Sequence, residues 1–184
     1  MEAWTGEANF WTDVSERSSL SAKVYFYGPQ RGLPGGVIYY NSFSKESLSD
    51  RIFFGQADFR SNLSSRFSLQ FKGKFNWSRT HYHDEGAIYP NGKVDDKYFQ
   101  QEFYFSAGLR WRLLHCLDLA YSSDYIMNGL NVNQITNVQP ERYSFLNVVA
   151  LKYSDRKIRA VASLLSTVCL NYTERGVAAD DEQR

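Results

Sequence analysis

Every second residue from Phe67 to Trp77 is apolar or glycine: Phe67, Leu69, Phe71, Gly73, Phe75 and Trp77. Arg66, Ser68, Gln70, Lys72, Lys74, Asn76 and Ser78 fill the places between. A repeat of two sends the two sets to opposite faces of a β-strand, whereas a helix would scatter both around its circumference. The pattern returns along the chain. Phe103, Phe105, Ala107, Leu109 and Trp111 alternate with Glu102, Tyr104, Ser106, Gly108, Arg110 and Arg112. Leu20, Ala22, Val24 and Phe26 face away from Ser19, Ser21, Lys23 and Tyr25, and Phe53, Gly55, Ala57 and Phe59 from Gln56, Asp58 and Arg60. Leu117, Leu119, Tyr121 and Tyr125 oppose Asp118, Ser122 and Asp124. Strands near Arg142–Tyr153 and Lys157–Tyr172 alternate less cleanly, and Asn147 interrupts the apolar face of the first. A weaker strand is expected near Glu7–Val14. The expectation is an all-β chain, an antiparallel meander of about eight long strands.

Length and spacing narrow the class. Soluble strands usually run about 5–6 residues, and a tilted strand needs about 9–11 to cross a bilayer. The stretches at 66–78 and 102–112 meet the longer requirement without a break. Short connections are expected at Ser61–Ser65, Leu113–Cys116 and Ser154–Arg156, with another near Ser15–Ser18. Longer polar ones fall between them, at Gly28–Asp50, Arg79–Lys97 and Asn128–Glu141. Outer-membrane barrels show that asymmetry, with short periplasmic turns and longer extracellular loops. Aromatics also bracket the apolar faces. Phe53 and Phe59 enclose Gly55 and Ala57, Phe103 and Trp111 enclose Phe105, Ala107 and Leu109, and Phe67 and Trp77 end their own strand. Such rings resemble two interfacial girdles, and strand propensity also draws aromatics. The pattern predicts part of a transmembrane β-barrel.

Bulk composition changes this picture little. An aromatic share of 16% favours strands. A mean hydropathy of −0.47 would by itself describe a soluble chain, so the alternation carries the membrane reading. A net charge of +1 and the lack of any Lys/Arg run give no electrostatic case for nucleic acid. Cys116 and Cys169 fit neither a disulfide scaffold nor a metal motif, and read as small apolar filler. The longest apolar run, near Val148–Leu151, is far too short for a membrane helix. Met1–Glu7 lack the basic and apolar regions of a signal peptide, and Gly176–Arg184 form a polar tail suited to a loop. An open sheet edge in lipid costs several kcal/mol per unpaired backbone group. The expectation is therefore a slice of a larger barrel.

Several spaced phrases carry a family resemblance. Arg31-Gly32-Leu33-Pro34-Gly35 followed by Val37-Ile38-Tyr39-Tyr40-Asn41 resembles a loop of TonB-dependent outer-membrane receptors. Phe59–Ser68 is similar to a strand–turn–strand of those receptors, and Lys97–Ala107 to a later strand. The resemblance runs from about Ser18 to Gly176 and implies a barrel of about 22 strands plugged by a globular domain. It further implies active uptake of a scarce ligand such as an iron–siderophore, haem, cobalamin or an oligosaccharide, powered through TonB. Residues 1–184 would supply part of the barrel, with the plug and remaining strands absent. The partners implied are the imported small molecule, the lipid of a Gram-negative outer membrane, and TonB only through the missing plug.

Arg79–Gly86 holds the ligand-like chemistry. His81, Tyr82, His83 and Asp84 are candidate contacts to an imported ligand in an extracellular loop. His81, His83 and Asp84 are metal-compatible side chains, but no third spaced ligand or known motif accompanies them, so no metal site is assigned. Solvation alone also makes loops polar. Gly32, Pro34 and Gly35 are turn chemistry, as is Asn91-Gly92. Lys72, Lys74, Glu102, Arg110 and Arg112 are expected to line a polar lumen. No nucleophile elbow or triad is visible, and no catalysis or cofactor is expected. Two other readings compete: a small self-contained barrel with a structural or adhesive role, and a soluble lipocalin-like binding module with its apolar face inward.

Overall fold

The structure, a computed structural model, describes residues 2–33, 45–85, 92–133 and 138–175. They form one eight-stranded sheet whose strand order follows the sequence. The strands are β1 (Glu2–Ser15), β2 (Ser18–Gly32), β3 (Ser47–Ser61), β4 (Phe67–Asp84), β5 (Val94–Leu114), β6 (Leu117–Val132), β7 (Val138–Ser154) and β8 (Arg159–Arg175). All seven neighbouring pairs are antiparallel. No helix occurs among the described residues. This is the all-β meander that the alternation predicts.

The register keeps the faces in phase across the whole sheet. One row of partners reads Ala8, Val24, Gly55, Phe75, Phe103, Met127, Tyr143, Leu170. The next row, on the opposite face, reads Asn9, Lys23, Gln56, Lys74, Tyr104, Ile126, Ser144, Cys169. A slip of one residue in any pair would mix the two, so the chemistry of the faces selects the register. Rings meet across strands on the apolar face: Phe75 and Phe103 are 4.7 Å apart, Phe59 and Phe71 6.5 Å, and Trp77 meets Phe99 edge-on at 5.7 Å. Such pairs add to sheet stability beyond area alone. Between these levels lie Ala22, Ala57 and Gly73 on β2–β4, but Phe105, Tyr125 and Phe145 on β5–β7. The girdle pattern of small residues between rings thus holds over one part of the sheet and not the other. Asn147 does fall on the apolar face, in one row with Ser123 and Ser166, and its Oδ1 accepts the Tyr121 hydroxyl at 2.9 Å.

Strands run further than the alternation indicates. Of the expected loop Gly28–Asp50 only 33–46 lies between strands, of Arg79–Lys97 only 85–93, and of Asn128–Glu141 only 133–137. At the ends of β2 and β4 both faces are polar, so the repeat of two disappears from the sequence although the backbone pairing continues. The connection 133–137 is also no longer than 62–66, so the contrast of long and short connections is weaker than expected. Short turns are held locally. The Ser64 hydroxyl accepts the Arg66 and Phe67 amides at 3.2 and 3.1 Å, and the Asn62 amide donates to the Arg17 carbonyl at 2.8 Å. Residues 34–41 of the receptor-like loop phrase, Asn91 and the tail 176–184 lie outside the described residues.

The sheet is a single open layer. β1 pairs only with β2, β8 pairs only with β7, and the two make no contact. Among the described residues no large hydrophobic side chain is buried; Pro29, Ser61 and Asp84 are. Phe103, Phe105, Trp111, Tyr121, Phe145, Val149 and Leu151 are all exposed on one continuous surface. Hollows form on the other face. One, about 460 Å³, is lined from five strands by residues including Asn9, Lys23, Gln56, Lys72, Lys74 and Tyr104. A hollow spanning β1–β5 on the polar side makes that side the concave one.

Candidate functional site

Two sets of chemistry-bearing residues stand out, one on the concave face and one at the end of the β4–β5 hairpin. The concave face is laced by charge pairs between strands. Lys23 meets Glu7 at 3.0 Å and Lys74 meets Glu102 at 3.0 Å. Asp58 accepts from Gln70 of β4 at 2.9 Å and, within its own strand, from Arg60 at 3.1 Å. Arg110 and Arg112 both reach Asp118. Lys72, Lys74, Glu102, Arg110 and Arg112 therefore lie together on one polar wall, as the alternation predicts. On β6, Asp124 Oδ1 is buried with no partner among the described residues, across from Ser106. These pairs are open to solvent, which screens them, so each adds little to stability. They make the wall hydrophilic and ordered more than they stabilise it.

The four residues grouped by sequence as His81, Tyr82, His83 and Asp84 are not in a loop. They are the last four residues of strand β4, and alternation divides them. His81 and His83 continue the face of Phe75 and Trp77, with ring centroids 6.2 Å apart. Tyr82 and Asp84 continue the concave face, where Asp84 is buried. Asp84 therefore cannot join the two histidines at one ligand.

Asp95 takes its place from the neighbouring strand. In the β4–β5 register His83 is opposite Asp95 and His81 opposite Lys97. His81 Nε2 hydrogen-bonds Asp95 Oδ1 along the diagonal, within the reach expected for such neighbours. The other carboxylate oxygen of Asp95 accepts Lys97 Nζ at 3.4 Å. His83 Nε2 lies 3.5 Å from Glu85 Oε1, and Lys45 Nζ 3.5 Å from Glu85 Oε2. The His81 hydrogen bond, then the Lys97 charge, hold the Asp95 carboxyl below its ordinary pKa, and His83 followed by Lys45 do the same for Glu85. Asn133 clamps the backbone here: its Oδ1 accepts the Lys97 amide at 2.6 Å and its Nδ2 donates to the Asp95 carbonyl at 2.9 Å. That pairing replaces strand contacts where β5 outruns β6. Asp95 was open to sequence reasoning through one signal. Matching Phe75 to Phe103 and Leu69 to Leu109 and counting outward sets residue 83 against residue 95.

Gly92 opens the return into β5 with φ +67°, a left-handed conformation that side chains disfavour. Nothing lies within 4 Å of where its Cβ would stand, so the cost of a side chain is one of backbone conformation. Gly92→Ala is expected to lower folding stability by about 1 kcal/mol. Its urea midpoint against that of the unsubstituted chain measures this, and an unchanged midpoint would refute it. In comparison with known proteins, no family model matches this sequence and no curated protein matches it.

Proposed function

We propose that this sheet is a section of the wall of a transmembrane β-barrel in a Gram-negative outer membrane. We further propose that it belongs to a TonB-dependent receptor that takes up a scarce ligand such as an iron–siderophore, haem, cobalamin or an oligosaccharide. The observation that carries the membrane reading is the sidedness of the sheet. Its concave face is charged and its convex face is apolar and uncovered. Monomeric soluble proteins rarely expose a contiguous apolar face. A soluble lipocalin-like barrel would carry the reverse arrangement.

Dimensions agree with a bilayer. Phe67 to Trp77 marks the apolar stretch of β4. Ten residue steps of about 3.3 Å, tilted by about 40°, rise about 25 Å, the height of the apolar band of outer-membrane barrels. The free edges of β1 and β8 then need partners, because unpaired backbone groups in lipid cost several kcal/mol each. Further strands from a larger barrel supply them, which favours a receptor over a self-contained eight-stranded barrel. The receptor assignment itself is supported by the spaced phrases Phe59–Ser68 and Lys97–Ala107.

The full chain is expected to collect in inclusion bodies and to gain strand circular dichroism in detergent or lipid but not in buffer. A monodisperse monomer in plain buffer would overturn the membrane reading. The receptor assignment is tested separately by the sequence flanking the reading frame. Plug-coding sequence upstream and further strands downstream support it, and a promoter and terminator closely bracketing the frame refute it.

A further inference from the structure

We propose that His81, His83 and Asp95 form a binding site for a divalent transition-metal ion of the zinc, copper and nickel class on the convex face of the β4–β5 hairpin. The proposal depends only on the pairing of β4 with β5, and so stands apart from the receptor assignment.

Geometry is the first support. One donor atom from each of the three side chains lies within 4.8 Å of the others. Donors around a tetrahedral ion with bonds of about 2.1 Å stand about 3.4 Å apart. Small side-chain rotations close that difference without moving the strands. Two of the three donors already face each other, since His81 Nε2 and Asp95 Oδ1 share a hydrogen bond that an ion would replace.

The surroundings hold the carboxylate in position. Asp95 gives Oδ1 to the histidine and Oδ2 to Lys97, so one oxygen is aimed at the site and the other is anchored. Asn133 fixes the backbone from Asp95 to Lys97 through Asp95 O and Lys97 N. Such outer contacts commonly set the affinity of a metal site by orienting its ligands. The charged side chains around the cluster are Asp95 and Glu85, paired with Lys97 and Lys45, and two residues nearer the apolar band stand Arg79 and, directly across on β3, Arg51. Two imidazoles and one carboxylate select zinc, copper or nickel over magnesium or calcium, which prefer oxygen alone. Three protein ligands leave a position for water. On β4 the site stands four residues beyond Trp77, about 10 Å above that ring along the barrel axis.

The test is calorimetric titration of the full chain in detergent with zinc chloride, with circular dichroism on each sample to separate lost binding from lost strands. One equivalent is expected to bind in the micromolar range. His81→Ala, His83→Ala and Asp95→Asn are each expected to weaken binding at least tenfold. His115→Ala, which removes the third histidine in the turn after β5, is expected to leave it unchanged. Saturation only at millimolar zinc would overturn the proposal. So would an Asp95→Asn variant that keeps full affinity, or an Asp84→Asn variant that loses it, since the ligands would then lie within β4 alone.

Discussion

Arginine at Ala107 is expected to destabilise the folded sheet in lipid by about 2–4 kcal/mol, and arginine at Ser106 by under about 1 kcal/mol. The two positions are adjacent on β5 and differ only in face. Ala107 sits between Phe71 of β4 and Ser123 of β6 on the convex side. It lies near mid-height of the apolar band, where, in the proposed bilayer setting, a guanidinium would have no water and no counter-charge. Ser106 lies between Lys72 and Asp124 on the concave side. An arginine there gains the unpartnered carboxylate oxygen of Asp124, which offsets the repulsion of Lys72. Urea unfolding of each variant in lipid vesicles, followed by tryptophan fluorescence, measures the difference. Equal losses at both positions would mean that the faces do not meet different solvents. A larger loss at Ser106 would mean that the barrel is apolar inside.

Phe75→Ala is expected to cost about 2–4 kcal/mol in the same assay. Removing a side chain of this size forfeits about 1.5–3 kcal/mol of transfer out of water. The ring also forms a cross-strand chain, with Phe103 at 4.7 Å and Phe53 at 6.2 Å, and each good aromatic pair adds about 0.5–1.5 kcal/mol. Phe54→Ala is the matched control on the concave face, where the ring lies under Lys74 Nζ at 5.6 Å. That contact is exposed to water and contributes on the order of 0.5–1 kcal/mol. The loss for Phe54→Ala is expected to be about half that for Phe75→Ala, and the reverse ranking would contradict a lipid-facing convex surface.

The candidate site shows where sequence reasoning runs out. His81 and His83 are visible as a pair spaced by two, and that spacing correctly sets them on one face. Asp84 is next in sequence and wrong in space, because a strand turns each successive side chain by half a turn. Asp95 is eleven positions after Asp84 and right in space, because the antiparallel register folds it back against His83. Sequence proximity and spatial proximity diverge most at hairpin ends, where both faces are polar and no alternation marks the strand. The same loss of contrast hid the outer ends of β2 and β4 inside expected loops.

The amino-acid sequence by itself determined the strands, their approximate number and which residues share a face. Those follow from alternation, a local property that each segment states on its own. It also determined that one face is apolar along its length and the other charged. Only the tertiary structure decided which face is concave, since curvature is a property of the whole sheet and not of any strand. It alone decided that β1 and β8 do not pair with each other and that Asn133 braces the end of β5. It also replaced Asp84 by Asp95 beside the histidines, because register is settled jointly by two strands whose rings must match along their entire length.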